Sequence, residues 1–256
     1  MVQAIKFELS SNMGIIKKPD SNETYYTYNY PHKIMLLGIL GAIIGLNGYN
    51  YTAFQKYLGK NVENELPEFY TKLCNLKISI VPSFTETYFR KKIQTFNNSV
   101  GYASDEQGNN LVVKEQWLEN PKWQIYVLKN EMPEWEKIKE YLEDRKCEYI
   151  PYIGKNDHFA EIKNIETIEL QENVNENNVN SIISNKAIKS ISGEIDDILG
   201  FENSYDKKYE YREILPTELS ARIGYCNFEQ FIFTNKEMEL DNRNIFKDKD
   251  KVLYFF

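Results

Sequence analysis

The order of apolar periodicities along this chain predicts an α+β fold of the ferredoxin-like kind, in which two helices cover one face of a four-stranded antiparallel sheet. Three observations carry that expectation. Short runs with alternating apolar residues read as half-buried strands, at Ile5-Phe7-Leu9, Leu76-Ile78-Ile80 and Trp123-Ile125-Val127. Two helical runs separate them. Residues 83–121 hold strand-like arms around a middle rich in Gly, Ser, Asn and Asp. Residues 1–160 then read β-α-β-(hairpin)-β-α-β, and residues 161–256 read as a smaller, β-rich, acidic region.

The elements follow in order. Residues 2–9, VQAIKFEL, put Lys6 and Glu8 opposite the apolar face of the first strand. A loop follows with Lys17, Lys18, Pro19 and the tyrosines 25, 26, 28 and 30. Then comes the most distinctive stretch, Pro31 to Gly48, PHKIMLLGILGAIIGLNG, whose 13 residues from Ile34 to Leu46 carry no charge. Gly38, Gly41 and Gly45 recur at helical spacing beside Ala42, so one side of this helix is nearly bare and is expected to lie close against the strands. Pro31 suits the first turn and Asn47-Gly48 the stop. A membrane span needs about 20 apolar residues, so this run is read as a buried core helix.

Residues 51–58 suggest a short helix, and the second strand ends at Pro82. The hairpin has arms at Thr87–Phe96 and Leu111–Trp117. A further helix starts at Pro133 and stacks Trp135, Ile138, Tyr141 and Leu142, with Glu134 and Glu136 in its first turn. Arg145 and Lys146 are expected in its last turn, where they would complement the helix dipole. Tyr149–Ile153 is expected as the fourth strand, leading into Gly154-Lys155-Asn156-Asp157-His158. Glu161–Leu170 reads as a strand of the C-terminal region, residues 171–186 as an Asn-rich loop, and Tyr205–Leu215, Phe228–Phe233 and Val252–Phe256 as later strands.

Composition narrows the classes of function. The net charge is −7, but residues 1–160 hold 19 basic and 19 acidic side chains, whereas residues 161–256 hold 12 and 19. A neutral N-terminal part with local basic knots can bind a polyanion on one face but not strongly without specificity. Three cysteines far apart, and an N-terminus that reads as a strand rather than a signal peptide, imply reduced thiols and a cytoplasmic protein. With two histidines and no ligand spacing, neither a metal nor a cofactor is expected.

Several stretches together resemble a known family. These are the first strand entering the Lys17-Lys18-Pro19 loop, the Tyr28–Pro31 step into LLGILGAIIGL, and the long hairpin. Leu118-Glu119-Asn120-Pro121-Lys122-Trp123 before the third strand, Pro151-Tyr152-Ile153-Gly154-Lys155 and, more loosely, Tyr209–Thr217 complete the set. The chain is similar to the Cas-five family, the CRISPR-associated subunits that cap the crRNA 5′ end in type I Cascade. That family lies within the RAMP superfamily of ferredoxin-like, RRM-related RNA binders, and the likeness is nearest to its type I-B branch. The chain departs from the family pattern at His32-Lys33, where a second proline and a small or hydroxyl residue are common. It departs again at Asn156-Asp157, where the glycine loop is often basic.

The resemblance implies a ferredoxin-like domain over 1–160, with the 83–121 hairpin as its thumb. It also implies a role in CRISPR antiviral defence, as a non-catalytic subunit of the ribonucleoprotein gripping the crRNA 5′ handle and capping the backbone filament. Partners would be crRNA, the Cascade backbone and large subunits and, indirectly, target DNA, with no membrane. Single-stranded RNA is held by cations on phosphates and bases stacked on aromatics. Lys17, Lys18 and Lys33 would supply charge, Tyr25, Tyr28 and Tyr30 stacking faces, and the start of the Pro31 helix free N–H groups for a phosphate, with His32 a further candidate contact. On the hairpin, Arg90, Lys91, Lys92 and Lys114 are candidates, with Arg90 and Lys92 on one strand face and Lys91 on the other. In the glycine loop they are Gly154, Lys155, Asn156 and His158. The same residues also suit a solvated loop over core aromatics, with hairpin charges guarding an exposed strand edge. Two other functions stay open: a metal-free endoribonuclease of the type I-C kind, using His32 or His158 with Lys155 and Tyr28, and a structural interaction subunit without RNA.

Overall fold

The chain opens with β1 (Val2–Ser10), and the short strands β2 (Met13–Gly14) and β3 (Thr24–Tyr25) follow. Three helices come next, α1 (Lys33–Ile44), α2 (Tyr49–Tyr57) and α3 (Glu68–Leu73). After them run β4 (Ile78–Pro82), β5 (Lys91–Asn98), β6 (Leu111–Glu119), β7 (Lys122–Leu128), α4 (Pro133–Glu143) and β8 (Glu161–Leu170). The remainder holds β9 (Ile183–Ser184), β10 (Ile188–Ile191), β11 (Glu210–Ser220), β12 (Gly224–Thr234), β13 (Met238–Leu240), β14 (Ile245–Asp248) and β15 (Lys251–Tyr254). The structure, a computed structural model, describes residues 1–21, 23–60, 65–83, 89–98, 111–172, 174, 176–192, 208–241 and 244–256. It is a mixed α/β fold, rich in strands and with few helices.

The central sheet has the order β4-β7-β1-β8, with every neighbouring pair antiparallel. Alternation along β1 sends Ile5, Phe7 and Leu9 into the main core, opposite Val127, Ile125 and Trp123 of β7. α1 and α4 pack on that face. Trp135, Ile138 and Leu142 make the buried stripe of α4, and Lys137 Nζ donates to the Ile44 carbonyl (2.8 Å) at the open end of α1. The other face buries Ala4, Tyr126 and Leu170 with Leu253 of the hairpin β14–β15 and Phe255 just past it.

Several expectations are corrected. No strand forms at Tyr149–Ile153; Tyr152 makes only an isolated bridge to Phe159. The backbone there is spent on α1, because the N–H groups of Glu148 and Tyr149 donate to Ile43 and Ala42 (2.9 and 3.1 Å). The sheet's fourth strand is β8 instead, paired with β1 along its length. α1 begins later than expected, with Pro31 outside it and His32 as its cap, and it ends at Gly45 (φ +81°) rather than at Asn47-Gly48. The bare stripe does not face the strands. A Cβ on Gly41 would lie 2.5 Å from Cβ of Phe69, so the close approach is to α3. Arg145 and Lys146 fall past the end of α4, Arg145 in the left-handed region (φ 55°).

The hairpin arms pair antiparallel from Lys91↔Leu118 to Asn98↔Leu111. Thr87, Tyr88 and the middle of the hairpin, 99–110, lie outside the described residues, as do Asn173, Asn175 and the start of the expected Tyr205 strand. The rest of the Asn-rich segment is irregular but anchored: Val174, Val179 and Ile182 are buried, and Asn180 Oδ1 accepts from Val252 N (2.8 Å). Among the described residues no single helix is long and apolar enough to cross a membrane; α1 and α2 qualify only as a pair bent by 73°, and α1 is buried here.

Candidate nucleic-acid interface

The Lys17–Tyr28 loop is strapped to three other parts of the chain. Within it, Tyr28 N donates to the Ile16 carbonyl (2.8 Å) and Lys18 N to that of Tyr26 (2.8 Å), while the buried Thr27 hydroxyl accepts from Ile16 N (2.9 Å). β2 and β3 dock on β6 of the hairpin, Thr24 opposite Lys114 and Tyr25 opposite Glu115. Ile15 N donates to the Ile153 carbonyl (3.2 Å), tying on the glycine loop. Gly154 holds φ +84°, and a Cβ there would sit 1.7 Å from the Ile15 carbonyl oxygen. Its glycine is therefore demanded by this crossing of two backbones.

Two cation–aromatic groups result, and the register puts Tyr25, opposite Glu115, on the same face of the sheet as Trp117, Lys92 and Phe96. In one, exposed Lys17 lies with Nζ 3.5 Å from the centre of the Tyr25 ring. In the other, Lys92 lies 5.5 Å from the Trp117 ring, and Lys155 lies 5.5 Å from Trp117 and 4.9 Å from Phe96. Exposed Lys114 shares the opposite face with Lys91. Burial lowers the pKa of Lys91, the Glu213 carboxylate opposes that, and the Lys18 charge reinforces it. Arg90 is exposed just before β5, and its carbonyl accepts from Glu119 N (2.9 Å); Asn156 is exposed in the loop.

Two expected cations are matched by buried carboxylates. Lys18 pairs with Glu213 of β11 (3.2 Å) and lies 4.9 Å from the Tyr28 ring. Glu213 also accepts from the N–H groups of Asn29 and Tyr30 (2.8 and 3.3 Å) and from Asn29 Nδ2 (3.2 Å). Lys155 pairs with Glu115 (3.0 Å), which also accepts from Trp117 Nε1 (2.8 Å).

The helix entrance is closed rather than open. His32 is buried, its Nδ1 accepts from Met35 N (3.2 Å), and its ring packs edge-on against Tyr225 and Tyr28. Burial pushes its pKa down to about 3, so it is a neutral cap, and the N–H groups expected to meet a phosphate are partly spent on it. Tyr28 and Tyr30 are core side chains, 3% and 2% exposed, not stacking faces; burial raises both pKa values. Lys33 is half-buried with Cys74 and Lys77 as its charged neighbours, and burial lowers its pKa. His158 is also buried and lies edge-on to Trp117 at 4.6 Å. The four residues of the ribonuclease alternative thus divide, His32 with Tyr28 at the helix entrance and Lys155 with His158 beside Trp117.

Sequence reasoning passed over Phe96, Glu115, Trp117, Glu213 and Tyr225. For Phe96 and Trp117 a signal existed, since Lys92, Gln94 and Phe96 share a strand face and Trp117 ends the partner arm. For Glu213, one acid in the strand EYREILP, there was none. A cleft of about 600 Å³ adjoins the helix entrance, walled by Gly38 and Ala42 of α1 with Tyr49, Phe69, Tyr152 and Tyr225.

No protein-family model matches the chain, and no curated protein matches it. Solved structures do. A chain of a CRISPR RNA-guided surveillance complex superposes with a TM-score of 0.49 at 11% identity, covering 92% of this chain and 91% of that one. A chain of a type III-B Cmr-beta complex bound to cognate target RNA and AMPPnP gives 0.48 at 9% identity, over 92% and 85%. A CRISPR protein from Archaeoglobus fulgidus gives 0.47 at 9% identity, over 98% and 97%.

Proposed function

We propose that this chain is a non-catalytic crRNA-binding subunit of a type I CRISPR Cascade, of the I-B kind, which grips the 5′ handle and caps the backbone filament. The observation that carries the reading is convergence. The stretches that bear the Cas-five resemblance are far apart in sequence, yet the Lys17 loop, the hairpin arms and the glycine loop meet around β6. Where they meet, cations lie on aromatic rings, the combination that holds single-stranded RNA. The antiparallel order β4-β7-β1-β8, with α1 and α4 as the crossing helices, supports a ferredoxin-like domain with β5–β6 as its thumb. Invader sequence would be read by guide–target pairing, not by this surface.

Against catalysis by His32 stands its burial as a neutral cap, out of reach of a 2′-OH. The test is co-expression with neighbouring subunits and a CRISPR array, followed by sequencing of the RNA in the purified complex. Recovery of repeat-derived 5′ handles is expected. Recovery of the chain as a free monomer, without RNA or partners, would overturn the reading. Cleavage of repeat RNA by the isolated chain, lost in His158→Ala, would overturn its non-catalytic part.

A further inference from the structure

The cleft beside α1 is lined mainly by apolar and aromatic side chains, and its volume of about 600 Å³ lies within the range of binding sites, about 300–1,000 Å³. Its floor is one face of α1 from Ile34 to Ala42, a rise of about 12 Å. A Cβ on Gly38 would meet nothing nearer than 3.8 Å, so the floor is low and open. Three rim side chains come from distant parts of the chain and stay exposed: Tyr49 of α2 (47%), Tyr152 of the glycine loop (46%) and Ile223 in the β11–β12 turn (74%). Large apolar side chains gathered around one cleft mark a surface that another molecule covers.

Charge selects the occupant. No charged residue lines this cleft, so a phosphodiester backbone laid along it would bury its charges unpaired. Past Pro19, Met35 and Tyr225 the cleft continues into a smaller space of about 300 Å³ that reaches Lys17 and Lys18. Lys18 is held by Glu213, whereas exposed Lys17 has no carboxylate partner among the described residues. The surface is thus apolar along α1 and positive at one end. Its complement is an apolar peptide segment with an acidic residue at the matching end.

We propose that this cleft docks one such segment of a partner protein, its apolar side chains entering over Gly38 and Ala42 and its carboxylate meeting Lys17. The inference goes beyond the handle reading and needs no RNA.

The test is photo-crosslinking. The full-length chain with p-benzoylphenylalanine at position 152 or at position 223 is co-expressed with the neighbouring subunits and irradiated, and the linked peptides are sequenced by mass spectrometry. Both positions should link the same partner segment, apolar and with Asp or Glu at one end. With the probe at position 152, Ile223→Glu, at an exposed site, should lower the yield of that link about tenfold, the size of one modest interface contact. Lys17→Glu should lower it about fivefold, the upper worth of an exposed ion pair. Links to RNA, to a second copy of this chain or to a segment without an acidic residue would overturn the proposal, as would no link at either position. The expected link in a complex free of RNA would uphold it and defeat the handle reading, whereas repeat-derived handles in a complex without the link would do the reverse.

Discussion

Removing the Glu213 carboxylate is the sharpest test of how the interface is held together. In Glu213→Ala, the N–H groups of Asn29 and Tyr30 and the Asn29 amide lose their acceptor, and Lys18 loses its partner. The Tyr30 N–H is buried, and a buried donor left unpaired costs about 1–3 kcal/mol. Asn29 is only half-buried, so water recovers much of its loss. Breaking a fully buried ion pair costs about 3–5 kcal/mol, but the Lys18 side chain is 28% exposed and can turn outward, which puts its share well below that. The expected net loss is about 2–4 kcal/mol. Glu213→Gln keeps an oxygen for the two backbone donors and should cost about half as much. Urea unfolding of the purified chain measures both, with an unchanged slope showing that the same surface unfolds. A cycle with Lys18→Met should give a coupling of about 1 kcal/mol. Should Glu213→Ala fall within about 0.5 kcal/mol of wild type, the ordinary range of surface substitutions, the carboxylate is not the anchor described.

Three further outcomes are expected. Because folded His32 is held near pKa 3, the unfolded chain takes up a proton below about pH 6.5 that the folded chain refuses; stability is complete above that pH and falls toward pH 3, by about 2 kcal/mol at pH 5 from this group. His32→Asn, which keeps a capping acceptor, should flatten that limb in unfolding midpoints taken across pH, with buried His158 leaving a residual slope of the same sign. Gly38→Ala, whose new methyl would meet Phe69 at 3.8 Å, should gain up to about 1 kcal/mol of helix propensity, whereas Gly41→Ala, at 2.5 Å, should lose that gain to an overpacking cost of about 1–3 kcal/mol. Thermal unfolding decides the order of the two variants, and a higher Tm for Gly41→Ala would contradict the packing on α3. In the assembled complex, Trp117→Ala should weaken RNA binding by about 1–3 kcal/mol, measured by competition with free handle RNA, if the ring carries a base.

The parts of the fold that sequence revealed are those where a period maps onto a face. Ile5, Phe7 and Leu9 alternate into the core, and Trp135, Ile138 and Leu142 form one helical stripe. β8 escaped assignment to the sheet for a physical reason. Its Ile162 and Ile165 reach the same core three positions apart because register shifts between Lys6↔Glu166 and Glu8↔Lys163, with Asn164 at φ 53° in the bulge, while Ile168 packs on the opposite face. Tyr149–Ile153 had the apolar content of a strand, but the N–H of Tyr149, like that of Glu148 just before it, was claimed by the end of α1. No pattern within either segment signals such a claim.

The site was legible as a set of residue types and not as a set of free charges. Which lysines are neutralised depends on carboxylates 40 and 195 positions away in the chain, Glu115 for Lys155 and Glu213 for Lys18. That compensation bears on the binding itself. If Lys18 and Lys155 keep their partners when RNA binds, the cations that meet phosphate come from the outward set typified by Lys17, Lys92 and Lys114. Three phosphate contacts to a single strand give a slope of log affinity on log salt of only about −2, with stacking on Phe96 and Trp117 supplying salt-independent affinity. If RNA instead draws the two lysines off their carboxylates, the slope steepens by up to about 0.7 per lysine, while two buried acids are left unpaired. The second course is the costlier, since Glu115 and Glu213 would each face a buried, uncompensated charge. A shallow slope, unchanged by Lys18→Met and reduced by Lys92→Ala, is therefore what this arrangement of charge requires.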